Sequence, residues 1–76
     1  MCGIFGIFSN NPVITPILTG LSKLEYRGYD SSGISVLDNS NSITTIRAKG
    51  KLENLNKKLK TNELFGNIGI GHTRWA

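Results

Sequence analysis

The sequence predicts a small α+β fold, because segments with strand and helix patterns follow each other in the order strand, helix, hairpin, helix, strand. The chain has 76 residues and contains no repeat, low-complexity linker or internal domain boundary. A domain of this size buries only about 60% of the surface that its unfolded chain exposes. We therefore expect residues 1–76 to form one unit, either a small domain or part of a larger one.

The first predicted strand covers residues 3–8, which are apolar, β-branched or aromatic apart from two glycines. Gly3 and Gly6 have no side chains, so they favour a buried strand that another backbone or a ligand approaches closely. A turn of serine, asparagine and proline follows at residues 9–12.

Apolar residues then recur at helical spacing from residue 14 to a predicted helix end at 24–26, where Gly28 supplies the break. Pro16 leaves two starts open, because proline is tolerated only in the first turn of a helix. Either Thr15 is the N-cap and Pro16 the first helical residue, or the helix begins near Pro12 with a distorted first turn.

Two strands are predicted at residues 33–37 and 42–48, and the polar residues 38–41 between them indicate a hairpin turn. A short amphipathic helix follows, with lysines on its outer side. A fourth strand is predicted at residues 67–73, close to the end of the sequence, where nothing covers it. This predicts a fragment of a larger domain. The apolar positions that mark the short helix are Leu52, Leu55 and Leu59.

Composition excludes several classes of function. Cys2 is the only cysteine, which excludes an internal disulfide and favours the reducing cytoplasm, and His72 is the only histidine, so no metal-ligand cluster is predicted. The apolar start of the chain has no basic segment before it and is too short to span a bilayer. The formal net charge is +4, but four of the nine basic residues fall at 51–60 on a predicted solvated helix face, so nucleic-acid binding is not predicted.

Cys2 follows only an initiator methionine, and removal of Met1 would place a thiol and a free α-amine on one residue. The unperturbed pKa of an α-amine is about 7.7–8.0, so near neutral pH this amine is able to take a proton from the thiol. Cys2 is therefore a candidate catalytic nucleophile that carries its own base. The alternative, a small buried apolar residue, stays open from this residue alone.

Three short clusters combine glycine or aromatic residues with polar groups, at residues 2–4, 26–33 and 72–76. Arg27 and Arg74 are candidates for binding an anion, because a guanidinium presents a planar fork that matches a carboxylate. Surface ion pairs with Asp30 or Glu25 are the alternative for both arginines.

Together the clusters resemble the class II glutamine amidotransferases. The matching runs are Cys-Gly-Ile after the initiator methionine, Leu-Glu-Tyr-Arg-Gly-Tyr-Asp-Ser-Ser-Gly at residues 24–33, and His-Thr-Arg-Trp-Ala at residues 72–76. Tyr29 and Trp75 favour the members that act on fructose 6-phosphate over the amidophosphoribosyltransferase and asparagine synthetase types, which stay as alternatives. A non-catalytic remnant or binding module is the alternative from another class of function.

The resemblance implies a role for each matching residue. Cys2 would attack the side-chain amide of glutamine, and Arg74 would hold the α-carboxylate of that substrate. Trp75 would begin the loop that closes over glutamine, while Arg27 and Gly28 would lie beside Cys2 and orient it. No metal and no other cofactor is implied.

The resemblance also implies an N-terminal-nucleophile hydrolase fold, a four-layer α/β/β/α sandwich with antiparallel sheets, of which residues 1–76 are the truncated N-terminal portion. Ammonia would pass to a C-terminal isomerase region that binds fructose 6-phosphate, and the oligomeric state of the intact enzyme stays open. The family's oxyanion hole and its aspartate for the substrate amino group would lie beyond Ala76. We therefore predict that the 76-residue chain is inactive by itself.

Overall fold

A four-stranded antiparallel sheet carries two helices on one face in the computed structural model, which describes residues 2–24 and 30–74. The α+β prediction is confirmed, with the elements in the predicted order. Their bounds are β1 Gly3–Phe8, α1 Ile14–Leu24, β2 Ser31–Leu37, β3 Ile43–Lys49, α2 Leu52–Thr61 and β4 Ile68–Arg74.

The strand order is β1-β4-β2-β3, so the last strand of the chain lies between the first two. The predicted hairpin is formed by β2 and β3, with Ser31 opposite Lys49. β4 pairs with β1 on one side and with β2 on the other. As a result, the start of β1, the end of β4 and the start of β2 meet at one end of the sheet.

The core lies between the sheet and the helices. α1 packs on β1 and β4, and α2 packs on β3. Gly71 lets α1 approach β4 closely, because a Cβ atom at this position would lie 2.5 Å from Cγ2 of Ile17 and 3.0 Å from Cδ1 of Leu21. The predicted apolar positions of the short helix are buried. The buried apolar residues of the core are Val13, Ile17, Leu21, Ile34, Val36, Ala48, Leu52, Leu55 and Leu59.

The first helix begins at Ile14, between the two predicted starts. Val13 is the capping position, since its carbonyl accepts the first helical hydrogen bond from the N–H of Ile17 at 3.0 Å. Pro16 is the third helical residue, where its missing N–H has no partner within a helix in any case. Neither predicted start was therefore correct. Leu24 is the last described residue of the helix, and both the rest of the predicted end at 24–26 and the predicted break at Gly28 lie outside the described residues.

The hairpin turn is held by the carboxylate of Asp38. One carboxylate oxygen accepts hydrogen bonds from the backbone N–H groups of Ser40 and Ser42, at 2.9 and 3.0 Å. Asn41 adopts a φ of 61°, a conformation that asparagine tolerates better than most residues. The hydrogen bonds from Ser42 and then from Ser40 hold the pKa of Asp38 below its ordinary value, because they stabilise the ionised carboxylate.

β1 is an edge strand that is half-buried on alternate residues and exposed on the others, which corrects the prediction of a buried strand. The helices cover one face of the sheet, so every second residue of β1 points away from them. The other predicted strand bounds are within two residues of those observed. Within the described residues, neither helix has the length and apolar character required to cross a membrane.

Candidate active site

The sheet face turned away from α1 and α2, here called the open face, changes in character from one end to the other. Apart from Ile4 and Gly33, its strand positions near Cys2 are polar or basic, and those at the opposite end are apolar. A shallow depression of about 380 Å³ lies at the apolar end. By alternation along the strands, the open-face residues are Ile4, Gly6 and Phe8 of β1; Ile68, Ile70, His72 and Arg74 of β4; Ser31, Gly33, Ser35 and Leu37 of β2; and Ile43, Thr45, Arg47 and Lys49 of β3.

Cys2 and Arg74 lie at the same end of adjacent strands. Gly3 is opposite Thr73 in the register of β1 and β4. Cys2 directly precedes Gly3, and Arg74 directly follows Thr73, so both residues lie at this end of the two strands. Both residues are exposed. Adjacent strands are about 4.8 Å apart, so the topology brings the candidate nucleophile and the candidate carboxylate ligand together, although they are far apart in sequence.

Three further predicted site residues cannot be placed. Arg27, Gly28 and Trp75 lie outside the described residues, as does Met1, whose removal the mechanism requires. The segment 25–29 connects the end of α1 with Asp30, whose backbone N–H donates to the carbonyl of Arg74 at 2.9 Å.

The contacts of Arg74 can be compared with the alternative prediction that this residue forms a surface ion pair with Asp30 or Glu25. Within residues 30–74, its guanidinium forms no ion pair with Asp30, and the contact between these two residues is the backbone hydrogen bond. Glu25, the other predicted partner, is outside the described ranges. The side chain of Arg74 is exposed, which leaves it accessible to a ligand from the open face.

The Cys2 end of the open face is electropositive. Arg47, Lys49 and Arg74 project from this face, and no strand position on it, within the described ranges, carries a carboxylate. Positive charges clustered on one surface raise the local concentration of anions. This end of the sheet is therefore suited to a small molecule with a free carboxylate.

Sequence reasoning missed two features of this end. Ser32 and Thr73 lie opposite each other on the helix-facing side, both buried, and their hydroxyl oxygens have no hydrogen-bond partner among the described residues. On the open face, the side chain of His72 crosses Gly33. Period-2 alternation along a strand indicates which residues share a face. It does not show which residues on different strands are neighbours, because that depends on the strand order.

An exposed cysteine at the start of an edge strand, with an arginine at the same end of the adjacent strand, is consistent with the class II glutamine amidotransferases that the motifs resemble. Comparison with known proteins shows which of these amidotransferases the chain is similar to. The whole chain is 53% identical to the glutamine–fructose-6-phosphate aminotransferases [isomerizing] of Bartonella quintana and Clostridium acetobutylicum, and 47% identical to that of Buchnera aphidicola. The resemblance stated from the motifs is thus confirmed.

The matching region is a small part of these relatives. The 76 residues span 12% of the length of each of the three proteins, with all of the chain aligned. No protein-family model matches the chain.

Proposed function

We propose that the chain is the N-terminal part of a class II glutaminase domain and serves a glutamine–fructose-6-phosphate aminotransferase. In this function glutamine is hydrolysed to glutamate and ammonia, and the ammonia is used to convert fructose 6-phosphate to glucosamine 6-phosphate. The observation that carries the proposal is the 53% identity over the entire chain to two proteins of that name. The placement of Cys2 beside Arg74 supports it independently.

In the proposed mechanism, the free α-amine of Cys2 takes the proton of the thiol, and the thiolate attacks the carbon of the glutamine side-chain amide. The C–N bond breaks as the amine returns the proton to the leaving nitrogen, giving ammonia and a γ-glutamyl thioester. Water then attacks the thioester, releases glutamate and restores the thiol. Splitting amide hydrolysis into two acyl transfers lowers the barrier of each step.

Arg74 would hold the α-carboxylate of glutamine during both steps. The substrate would lie across the ends of β1 and β4, with its amide at Cys2 and its carboxylate at the guanidinium. Arg27 and Gly28 would orient Cys2, and Trp75 would begin the loop that closes over the site.

The proposed domain is the four-layer α/β/β/α sandwich of the N-terminal-nucleophile hydrolases, in which a second sheet covers the open face. The exposure of this face supports the proposal, since Ile4, Phe8 and Ile43 are 79%, 78% and 73% exposed. Large exposed side chains clustered on one sheet face mark an interface rather than a finished surface. We therefore propose that residues 1–76 supply strands of one sheet and two helices on its outer face, and that they are inactive by themselves.

The remaining steps lie outside the chain. Binding of fructose 6-phosphate belongs to the proposed isomerase region, and no metal or cofactor is invoked for the glutaminase reaction. A cytoplasmic location and the absence of nucleic-acid or membrane partners stay predictions from composition. The oligomeric state of the intact enzyme stays open.

The test is glutamate release from glutamine by the intact protein that contains this chain, compared with its Cys2→Ala and Cys2→Ser variants. We expect release to disappear with alanine and to fall by orders of magnitude with serine, because a hydroxyl at neutral pH is a far weaker nucleophile than a thiol. Ser35→Ala, a change on the same sheet but away from the Cys2 end, is the matched control and should retain activity. Undiminished release by Cys2→Ala would exclude the proposal.

A further inference from the structure

The imidazole of His72 packs against the backbone of Gly33 on the open face. It occupies the space that a side chain at position 33 would need. A Cβ atom at Gly33 would be 2.6 Å from Nε2 and 3.2 Å from Cδ2 of His72, and 2.8 Å from Cγ of Arg47. Real Cβ atoms do not approach other heavy atoms this closely. Glycine at position 33 is therefore what allows the ring to rest against the sheet.

The ring is adjacent to the proposed active site. His72 is opposite Ile4 on one side and Gly33 on the other, and this row of residues is the next one inward from Cys2, Arg74 and Ser31. His72 and Arg74 are two residues apart on the same strand, so both project from the open face as direct neighbours.

Among the described residues, the ring of His72 is held by packing and not by hydrogen bonds. His72 is half-buried, and within the described residues neither ring nitrogen has a hydrogen-bond partner. The ring fills the surface immediately inward of Arg74. An arginine side chain is long and flexible, and confining it to one region costs conformational freedom that binding would otherwise have to supply.

We propose that His72 is a positioning residue for Arg74: its flat ring, seated on Gly33, blocks the inward directions and keeps the guanidinium at the Cys2 end, where a substrate carboxylate would bind. This inference rests on the proposed glutaminase function. The bulk of the ring matters in this role, and its nitrogens do not. Gly33 acts through His72, because any side chain at position 33 lifts the ring toward Arg74.

The test measures glutamine binding by titration calorimetry in the intact protein carrying Cys2→Ala, which binds without turnover. His72→Ala should weaken binding roughly 3- to 30-fold, the range expected from freeing one arginine side chain. His72→Phe keeps a flat ring of similar size and should preserve the dissociation constant. Ser35→Ala, on the same face and farther from Cys2, is the matched control and should also leave binding unchanged.

Two double variants separate positioning from a general loss of structure. In an Arg74→Ala background, His72→Ala should cause no further loss, because the residue through which it acts is absent. Gly33→Ala should weaken binding more in the parent protein than in the His72→Ala variant, where only the close approach to Cγ of Arg47 remains. Thermal unfolding of each variant verifies that the fold is retained.

The outcomes distinguish this inference from the function on which it rests. Failure of the Cys2→Ala protein to bind glutamine at all would overturn both. Normal binding that His72→Ala does not change would overturn the positioning role alone. Equal weakening by phenylalanine and alanine would also overturn it, because the ring nitrogens rather than the bulk of the ring would then be responsible. In the protein with Cys2 intact, His72→Ala should raise KM and leave kcat nearly unchanged.

Discussion

Replacing Gly71 by alanine should destabilise the fold, because this glycine sets the distance between α1 and the sheet. The new Cβ would lie 2.5 Å from Cγ2 of Ile17, about 1.3 Å closer than an ordinary carbon–carbon contact. Ile17 is fully buried, and its γ-methyl group can move only by rotation about the Cα–Cβ bond, which strongly favours one rotamer in a helix, so α1 itself must move outward. Overpacking of this kind costs about 1–3 kcal/mol.

Gly6→Ala is the matched control, since Gly6 is also a strand glycine but faces the open side. Its Cβ would meet Cγ2 of Ile70 at 3.5 Å, an ordinary van der Waals contact. The unfolded chain loses a similar amount of conformational entropy in both variants, about 0.4–1 kcal/mol. This contribution cancels in the comparison, so Gly71→Ala should be less stable than Gly6→Ala by about 1–3 kcal/mol.

The assay is urea unfolding of the 76-residue chain, followed by circular dichroism in a stabilising osmolyte such as sucrose. For a domain of this size, the same difference corresponds to at least about 4 °C in Tm. Equal unfolding midpoints for Gly71→Ala and Gly6→Ala would show that α1 does not pack on β4 at this distance.

Three further predictions concern the turn and the site. Because the folded-state pKa of Asp38 is lowered, its contribution to stability is complete above the ordinary aspartate pKa of about 3.9 and is lost as the pH falls through the lower folded value. The stability difference between the parent protein and Asp38→Asn should therefore shrink on acidification, as measured by urea unfolding at a series of pH values; a constant difference would contradict the assignment. Intact-mass measurement of the native protein should show that Met1 has been removed, and its retention in most molecules would exclude the α-amine of Cys2 as the base. In the intact protein, Arg74→Lys should raise KM for glutamine severalfold, because the charge remains but the bidentate fork is lost; an unchanged KM would remove Arg74 from the site.

Local patterns predicted the elements of the fold well. The first strand was predicted at its observed bounds, and the hairpin turn was identified from four polar residues. The start of α1 was wrong because two local signals, Pro16 and the polar turn before it, competed, whereas the structure uses Val13 as the cap through its backbone alone. No side-chain pattern in the sequence could have identified that cap.

The arrangement of the strands was not predictable from local patterns. β4 lies between β1 and β2, an order that depends on pairing between residues about 70 positions apart, such as Gly3 and Thr73. Gly71 carried a signal, since glycine in a strand often marks close approach of another element. The glycine did not specify which helix approaches. The predicted burial of β1 was wrong because the residue pattern of a single strand does not show whether both of its faces are covered.

The candidate site was partly predictable. Cys2 and Arg74 were singled out from the chemistry of their side chains and from the family resemblance, and the topology then brought them to one end of the sheet. The contact of His72 with Gly33 had no sequence signal beyond a glycine within a motif. Such contacts across strands become visible only once the register is known.

The most direct test of the central claim is covalent labelling of Cys2 by a glutamine analogue that carries an electrophile at the side-chain carbonyl. In the intact protein, peptide mapping by mass spectrometry should locate one adduct on Cys2, with Met1 absent, and excess glutamine should slow its formation. The 76-residue chain alone should remain largely unlabelled. An intact protein in which Cys2 is not modified, or is modified at a rate that glutamine does not change, would contradict the assignment of Cys2 and Arg74 to a glutamine site.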